Sequence, residues 1–307
     1  MTFNHALAGR RTALLARAEI IQQIRRIFIE GGYLEVETPL RIPAPAPEAH
    51  IDAVPAHGWF LHTSPELCMK RLLAAGYERV FQLCRCWRDA ERGRFHLPEF
   101  TMLEWYRTGT DYMGLMEDCE ALVRGVAAAI GLGNGITYRG RKIDASGRWE
   151  RISVREAYRR FGGMSMETAM EQDRFDEVMV NEIEPMLGLE RPVFLYDYPA
   201  ERGALARLKE EDRSVAERFE LYIGGVEIAN AFSELVNAGE QQIRFTQEAA
   251  FRESAGKAPY PFPAKFIAEL PHMPTAAGIA LGIDRLIMVL LDKGAIDEVV
   301  AFSPEDL

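Results

Sequence analysis

Two strand-like runs carry an unusual set of side chains on one face. Residues 79–88 (RVFQLCRCWR) and 99–106 (EFTMLEWY) are rich in aromatic and β-branched types. Alternation puts Gln82, Cys84, Cys86 and Arg88 on one face of the first run, and Phe100, Met102, Glu104 and Tyr106 on one face of the second. A face bearing arginine, glutamate and tyrosine is a poor core and reads as a site. Further on, residues 219–223 and 226–230 flank Gly224-Gly225, a two-residue hairpin signal. That register pairs Tyr222 with Glu227 and Glu220 with Ala229, so Glu220 and Glu227 share a face within diagonal reach. Arg285 follows a glycine-punctuated strand at 278–283 (GIALGI) and opens a helix over 284–291. The fixed donor fork of arginine fits carboxylate and phosphate. Taken without further context, each of these arginines and glutamates reads as an ordinary surface residue.

The rest of the pattern supplies the scaffold. Residues 12–30 place Leu14, Leu15, Ala18, Ile21, Ile24, Ile27 and Phe28 at mostly three- and four-residue spacing, which predicts an amphipathic helix ended by Gly31-Gly32. Residues 33–37 predict a strand running into Pro39. A helix from Ser64-Pro65-Glu66 to Ala75, with serine to cap it and proline in its first turn, ends at Gly76. The polar stretch 89–98 joins the two site strands as a long-loop hairpin. Helices over 111–130 and 174–186 and a strand-helix unit over 150–160 read as framework. Strands joined mostly by hairpins, with helices gathered elsewhere, predict an α+β fold around an antiparallel sheet. Neither GxGxxG nor a Walker loop occurs.

The 307 residues, 48% hydrophobic, can bury a sizeable core. No linker or internal repeat interrupts them, so one domain spanning 1–307 is expected. The proline cluster at 42–55 (IPAPAPEAHIDAVP) includes apolar residues and reads as an ordered loop. The N-terminal residues lack an apolar leader region, and no run is long enough for a membrane span, so a cytoplasmic protein is expected. Cys68, Cys84, Cys86 and Cys119 form no CxxC pair and read as buried reduced thiols rather than zinc ligands or disulfides. A net charge of −10, from 36 basic and 46 acidic residues, works against tight nonspecific binding to a polyanion and fits a cationic substrate or a basic protein partner.

YLEVETP at 33–39, VFQLCRCWR at 80–88 continuing through HLPEFTMLEWY at 96–106, and GIALGIDR at 278–285 resemble, in order, motifs 1, 2 and 3 of the class II aminoacyl-tRNA synthetases. TSPEL at 63–67, PEFTM at 98–102 and GVEIANAFSEL at 225–235 resemble lysyl-tRNA synthetase. Motif 1 begins almost at once, which leaves no room before it for the anticodon-binding β-barrel of that enzyme. The compact form resembles the EpmA family (also called PoxA or GenX), which attaches β-lysine to a lysine side chain of translation elongation factor P. Ala280 agrees, because lysyl-tRNA synthetases usually carry glycine there.

The resemblance implies roles. Joining an amino-acid carboxylate to the α-phosphate of ATP brings two anions together. Arg88 would bridge them and Arg285 would hold the distal phosphates. His96 would donate to a phosphate, Phe100 would stack on adenine, and Asp89, Ala90, Leu97, Ile228 and Gly282 would complete the nucleotide side. Glu227, with Glu220, would hold Mg2+ on the phosphates. Glu66, Glu104 and Glu234, with Tyr106, would receive the ammonium groups of lysine, and Ser64, Pro65, Asn230 and Ala280 would shape that pocket. Strict alternation from Glu227 puts Asn230 on the opposite face, so a bulge is required. Two departures fall in the ATP-facing loop: Arg88-Asp89-Ala90 stands where the family usually has Arg-Asn-Glu, and His96-Leu97-Pro98 where it has His-Asn-Pro, with Glu91 at hand to compensate.

The implied reaction is activation of (R)-β-lysine or lysine by ATP, followed by transfer to a lysine side chain of elongation factor P, with tRNA disfavoured as acceptor. Two alternatives stand beside it: a trimmed synthetase paralogue that charges tRNA or another small acceptor, and a non-catalytic regulatory protein that binds amino acid or nucleotide. A homodimer through the motif 1 helix and strand is also implied.

Overall fold

The computed structural model describes residues 5–307. Helices α1 (His5–Gly9) and α2 (Arg11–Glu30) lead through a glycine turn to β1 (Leu34–Glu35). A small antiparallel sheet of β2 (Arg41–Ile42), β3 (Pro55–Ala56) and β4 (Trp59–Leu61) precedes α3 (Glu66–Ala74). The long hairpin of β5 (Arg79–Trp87) and β6 (Glu99–Thr108) is followed by α4 (Tyr112–Ala129), whose first amides are capped by Asp111. A separate hairpin, β7 (Gly135–Tyr138) and β8 (Arg141–Asp144), leads to β9 (Glu150–Ser153) and helices α5 (Val154–Phe161), α6 (Met166–Glu171) and α7 (Phe175–Val178). Strands β10 (Val193–Pro199), β11 (Val215–Ile223) and β12 (Val226–Ser233) follow. Helices α8 (Ala238–Ser254) and α9 (Ala264–Glu269), strand β13 (Ala276–Gly282) and helix α10 (Ile283–Leu290) complete the chain's main elements.

One eight-stranded sheet, in the order β1-β5-β6-β13-β12-β11-β10-β9, organises the fold. Its six inner strands are antiparallel throughout, but both edge strands, β1 beside β5 and β9 beside β10, pair in parallel. The expected antiparallel sheet is therefore a mixed one with an antiparallel centre. Parallel pairing needs a long crossover, which the small sheet with α3 supplies at one edge and α5 to α7 at the other. The helix expected over 174–186 is also irregular: α7 widens into a π turn at Met179–Ile183 and tightens into a 3-10 turn at Glu184–Met186, where Pro185 lacks a backbone donor.

Alternation divides the sheet into two faces. Phe81, Leu103, Trp105, Phe219, Leu221, Ile279 and Leu281 are buried with side chains of α2, α4 and α10. Burying each large apolar side chain contributes about 1.5–3 kcal/mol, which secures the back of the sheet and leaves its front free to carry polar groups. Gly224 and Gly225, with φ of 63° and 77°, make the tight turn between β11 and β12. Beyond that turn Tyr222 pairs with Glu227 as expected, but Leu221 pairs with Ala229, so Ile228 is an extra residue. Glu220 consequently faces Asn230 rather than Ala229. This is the bulge that Asn230 requires, and it brings Glu227 and Asn230 to the same face.

The proline-rich segment before α3 is ordered, as expected. Arg252 of α8, only 2% exposed, donates to the carbonyls of Glu48 and Ile51 at 2.9 and 3.0 Å. All four cysteines are free thiols; Cys86 and Cys119 are buried, whereas Cys68 and Cys84 are only half-buried.

Candidate active site

The front of the sheet forms the floor of a cavity of about 1070 Å³, solvent at its mouth included. Strand register sets three transverse rows across this face of the sheet, whose β6, β13 and β12 members line the cavity. Cys84, Met102 and Gly282 form the first; Gln82, Glu104, Ala280, Asn230 and Glu220 the second; Val80, Tyr106, Gly278, Phe232 and Arg218 the third. Residues from three to five strands thus stand in line because pairing places them opposite one another.

One end of the cavity is basic. Arg88, just beyond β5, has a buried Nε with no partner, reaches Glu91 only at 3.8 Å, and lies over the Phe100 ring at 5.2 Å. Arg285, in the first turn of α10, is fixed by three groups. It donates to the Phe95 carbonyl at 3.1 Å and to Glu227 Oε2 at 2.9 Å, and its Nη2 meets His96 Nε2 at 2.6 Å. Burial first, and Arg285 second, lower the His96 pKa, so its imidazole is neutral and accepts from the guanidinium. Burial pushes Glu227 up, but Arg285, joined by Arg88 and Arg218, leaves this carboxyl below the usual range.

Glu220 departs from the expected free metal ligand. It is buried and absent from the cavity wall; Tyr198 and Tyr222 hydroxyls both donate to its Oε2 at 2.7 Å, and Arg218 donates to its Oε1. Glu184 joins this acidic group, and burial together with the charges of Glu220 and Glu227 pushes it up to about 7. Of these three carboxylates Glu227 is the one that lines the cavity, where its oxygens are placed to meet a hard cation.

The other end is acidic and buried. Ser64 Oγ accepts from the Glu66 amide at 3.0 Å and donates to Glu104 Oε1 at 2.7 Å, leaving Glu104 Oε2 buried and unpartnered. Lys70, 1% exposed, lies 2.5 Å from both Glu66 and Glu234. Burial, then repulsion from Glu66, raises Glu104 well above the carboxylate range. Burial also lifts Glu234 to about 7 despite Lys70, and its Oε1 has no partner. Asn230 Oδ1 accepts from Arg218 Nε at 3.2 Å. Gly278 is indispensable here, since a Cβ on it would lie 2.1 Å from Tyr106 Cε1 and 2.5 Å from Glu234 Oε1.

Of the expected site residues, Ser64, Glu66, Arg88, His96, Leu97, Phe100, Glu104 and Tyr106 line this cavity from the first half of the chain. Glu227, Ile228, Asn230, Glu234, Ala280, Gly282 and Arg285 line it from the second. Pro65, Asp89 and Ala90 do not. Pro65 precedes α3, Asp89 and Ala90 are exposed, and Ala90 takes a left-handed φ of 59°. Leu97 turns partly inward, 4% exposed and packed in the main core. Glu91 does line the cavity.

Sequence reasoning missed Lys70, which reads as a solvated residue of an amphipathic helix, and Glu48, hidden in a proline-rich loop. It also missed the company of the CxC pair: His62, Cys84 and Cys86 offer ligand atoms within 4.8 Å of one another. There His62 Nε2 is engaged by the Arg85 carbonyl at 2.7 Å.

The family described as tRNA synthetases class II (D, K and N) matches residues 8–306. Among curated proteins, the chain is 41% identical over 308 aligned residues to the elongation factor P--(R)-beta-lysine ligase of Edwardsiella ictaluri (strain 93-146), covering 94% of each chain. The three ordered motifs, the antiparallel sheet centre with its polar front, and a match over nearly the whole length agree: the chain belongs to the class II tRNA synthetase family.

Proposed function

We propose that this ligase makes an aminoacyl-adenylate from ATP and (R)-β-lysine, or lysine, and transfers the acyl group to a lysine side chain of translation elongation factor P in the cytoplasm. The polarity of the cavity carries this reading. Arginines stand at one end and buried carboxylates at the other, so a molecule with an anionic head and ammonium groups fits it in one direction. The relative of E. ictaluri, whose name states this reaction, supports it.

In the first step a substrate carboxylate oxygen bonds to the α-phosphorus of ATP, the bond to the bridging oxygen breaks, and pyrophosphate leaves. Arg88, which lines the cavity, holds the carboxylate and α-phosphate together, while Arg285, kept rigid by Phe95, Glu227 and His96, meets the distal phosphates. Glu227, backed by Glu220, would hold Mg2+, which when bound neutralises phosphate charge. In the second step the acceptor amine attacks the acyl carbon, its C–N bond forms as the bond to AMP breaks, and the amine's proton passes to solvent. No enzyme nucleophile is needed.

Amino-acid-dependent ATP–pyrophosphate exchange with α-lysine, (R)-β-lysine and (S)-β-lysine tests the first step. Exchange favouring (R)-β-lysine, and lowered at least about 100-fold in Arg88→Ala, is expected. No exchange with any isomer would overturn the reading. Incubating charged enzyme separately with elongation factor P and with total tRNA tests the acceptor; label moving to tRNA alone would move the assignment to a tRNA-charging paralogue.

A further inference from the structure

Glu48 stands apart from the other acids of the cavity. Glu66 and Glu234 pair with Lys70, Glu104 with Ser64, Glu227 and Glu91 with arginines, and Asp284 with Arg17. Among the described residues lining the cavity, Glu48 is the carboxylate for which no side-chain hydrogen bond or ion pair is formed, although it shares the cavity wall with Glu66 and Arg88, whose charges act on it.

Its placement is built rather than incidental. Arg252 grips the Glu48 carbonyl, and the next amide, that of Ala49, donates to Glu248 Oε2 at 2.7 Å. Farther along, Asp52 is ion-paired with Arg252 and Lys257 at 2.9 Å each, and the Asp89 amide donates to the Asp52 carbonyl at 2.7 Å. The backbone from Glu48 to Asp52 is thus clamped to α8 and to the loop after Arg88. A side chain clamped in this way cannot withdraw to solvent by moving its loop. A carboxylate held near another carboxylate, with no partner of its own, is costly unless a cation completes it.

We propose that Glu48 is a specificity-determining residue that, with Glu66, receives the substrate amino group nearest the carboxylate. Resting on the proposed lysine-type substrate, this assigns the two ammonium groups to different acids. Arg88 fixes the carboxylate end of the substrate, Glu48 and Glu66 lie beside it, and Glu104 and Glu234 lie deeper, against Gly278 and Ala280, for the distal ammonium. The position of the proximal amine is what separates α- from β-lysine, so Glu48 is placed to read that difference.

Deleting the 3-amino group of (R)-β-lysine gives 6-aminohexanoate, which keeps the distal amine and the carboxylate. Equilibrium binding of both compounds to the wild-type protein and to Glu48→Gln, measured by calorimetry, tests the proposal without requiring turnover. E48Q is expected to weaken (R)-β-lysine about 10- to 100-fold, the scale of a lost charged hydrogen bond, and to leave 6-aminohexanoate unchanged. Glu48→Asp should restore part of the difference. In exchange kinetics the loss should appear in KM for (R)-β-lysine, with kcat and KM for ATP retained. An equal loss for both compounds, or none for either, would overturn the role of Glu48 even where the wild-type enzyme is active. Absent exchange with the binding difference intact would instead overturn the proposed function and leave Glu48 as an amine receptor.

Discussion

At the scale of single residues, the site is a set of groups kept from their preferred ionisation by burial. Glu48, Glu184 and Glu234 are each pushed up to about 7, with burial the largest cause. In the unfolded chain a glutamate loses its proton near pH ~4.3. Between that value and about 7 the folded apo-protein therefore binds more protons than the unfolded chain, and stability falls as pH rises through this window. A diamino acid reverses the penalty for Glu48 and Glu234 by supplying ammonium groups. Thermal denaturation should show the apo-protein losing midpoint temperature from pH 5 to pH 8, and saturating (R)-β-lysine should raise that midpoint more at pH 8 than at pH 5. A ligand shift larger at the lower pH would mean that these acids are already ionised and paired before substrate arrives.

At the scale of elements, strand register turns scattered residues into a site. Glu104, Ala280 and Asn230 are far apart in sequence but successive in one row. Gly278 shows how little slack the rows leave. Its strand conformation is open to any residue, so Gly278→Ala should fold with a loss of about 1–3 kcal/mol, the usual scale of overpacking. Its methyl would nonetheless displace Tyr106 and crowd Glu234. Lysine-dependent exchange should therefore fall far more than stability, a split that denaturant titration and exchange on the same preparation will reveal; parallel losses would make Gly278 a packing residue only. Much of this was legible in the sequence, because alternation alone puts Phe100, Met102, Glu104 and Tyr106 on one face, and the glycine pair announces its hairpin. The bulge at Ile228 was legible only as a contradiction, since Asn230 could not share a face with Glu227 without it. Glu48 was not legible at all. Its placement depends on Arg252, more than 200 positions later, and no local period records such a contact.

At the scale of the whole molecule, the sheet has an edge that its own chain leaves thinly covered. Strand β1 is only two residues long and stands at one end of the sheet, with both its residues exposed. Leu34 borders a shallow hollow with Tyr77, and Ile29 in the last turn of α2 is exposed as well. An edge strand with apolar side chains beside it invites association, and a second copy is the partner that symmetry makes available at every concentration. The class II resemblance points to this helix and strand, so we propose that two chains pair through them. Light scattering at micromolar concentration should give twice the 34.6 kDa chain mass. Leu34→Asp should shift the protein toward 34.6 kDa, because an unpaired carboxylate would be desolvated at the contact. Because β1 pairs with β5, and Arg88 directly follows the end of β5, loosening the edge should also weaken exchange activity in step with dissociation. A wild-type protein that remains at the single-chain mass up to high concentration would assign these apolar side chains to some other cover, and would leave the position of Arg88 to the β5–β6 hairpin alone.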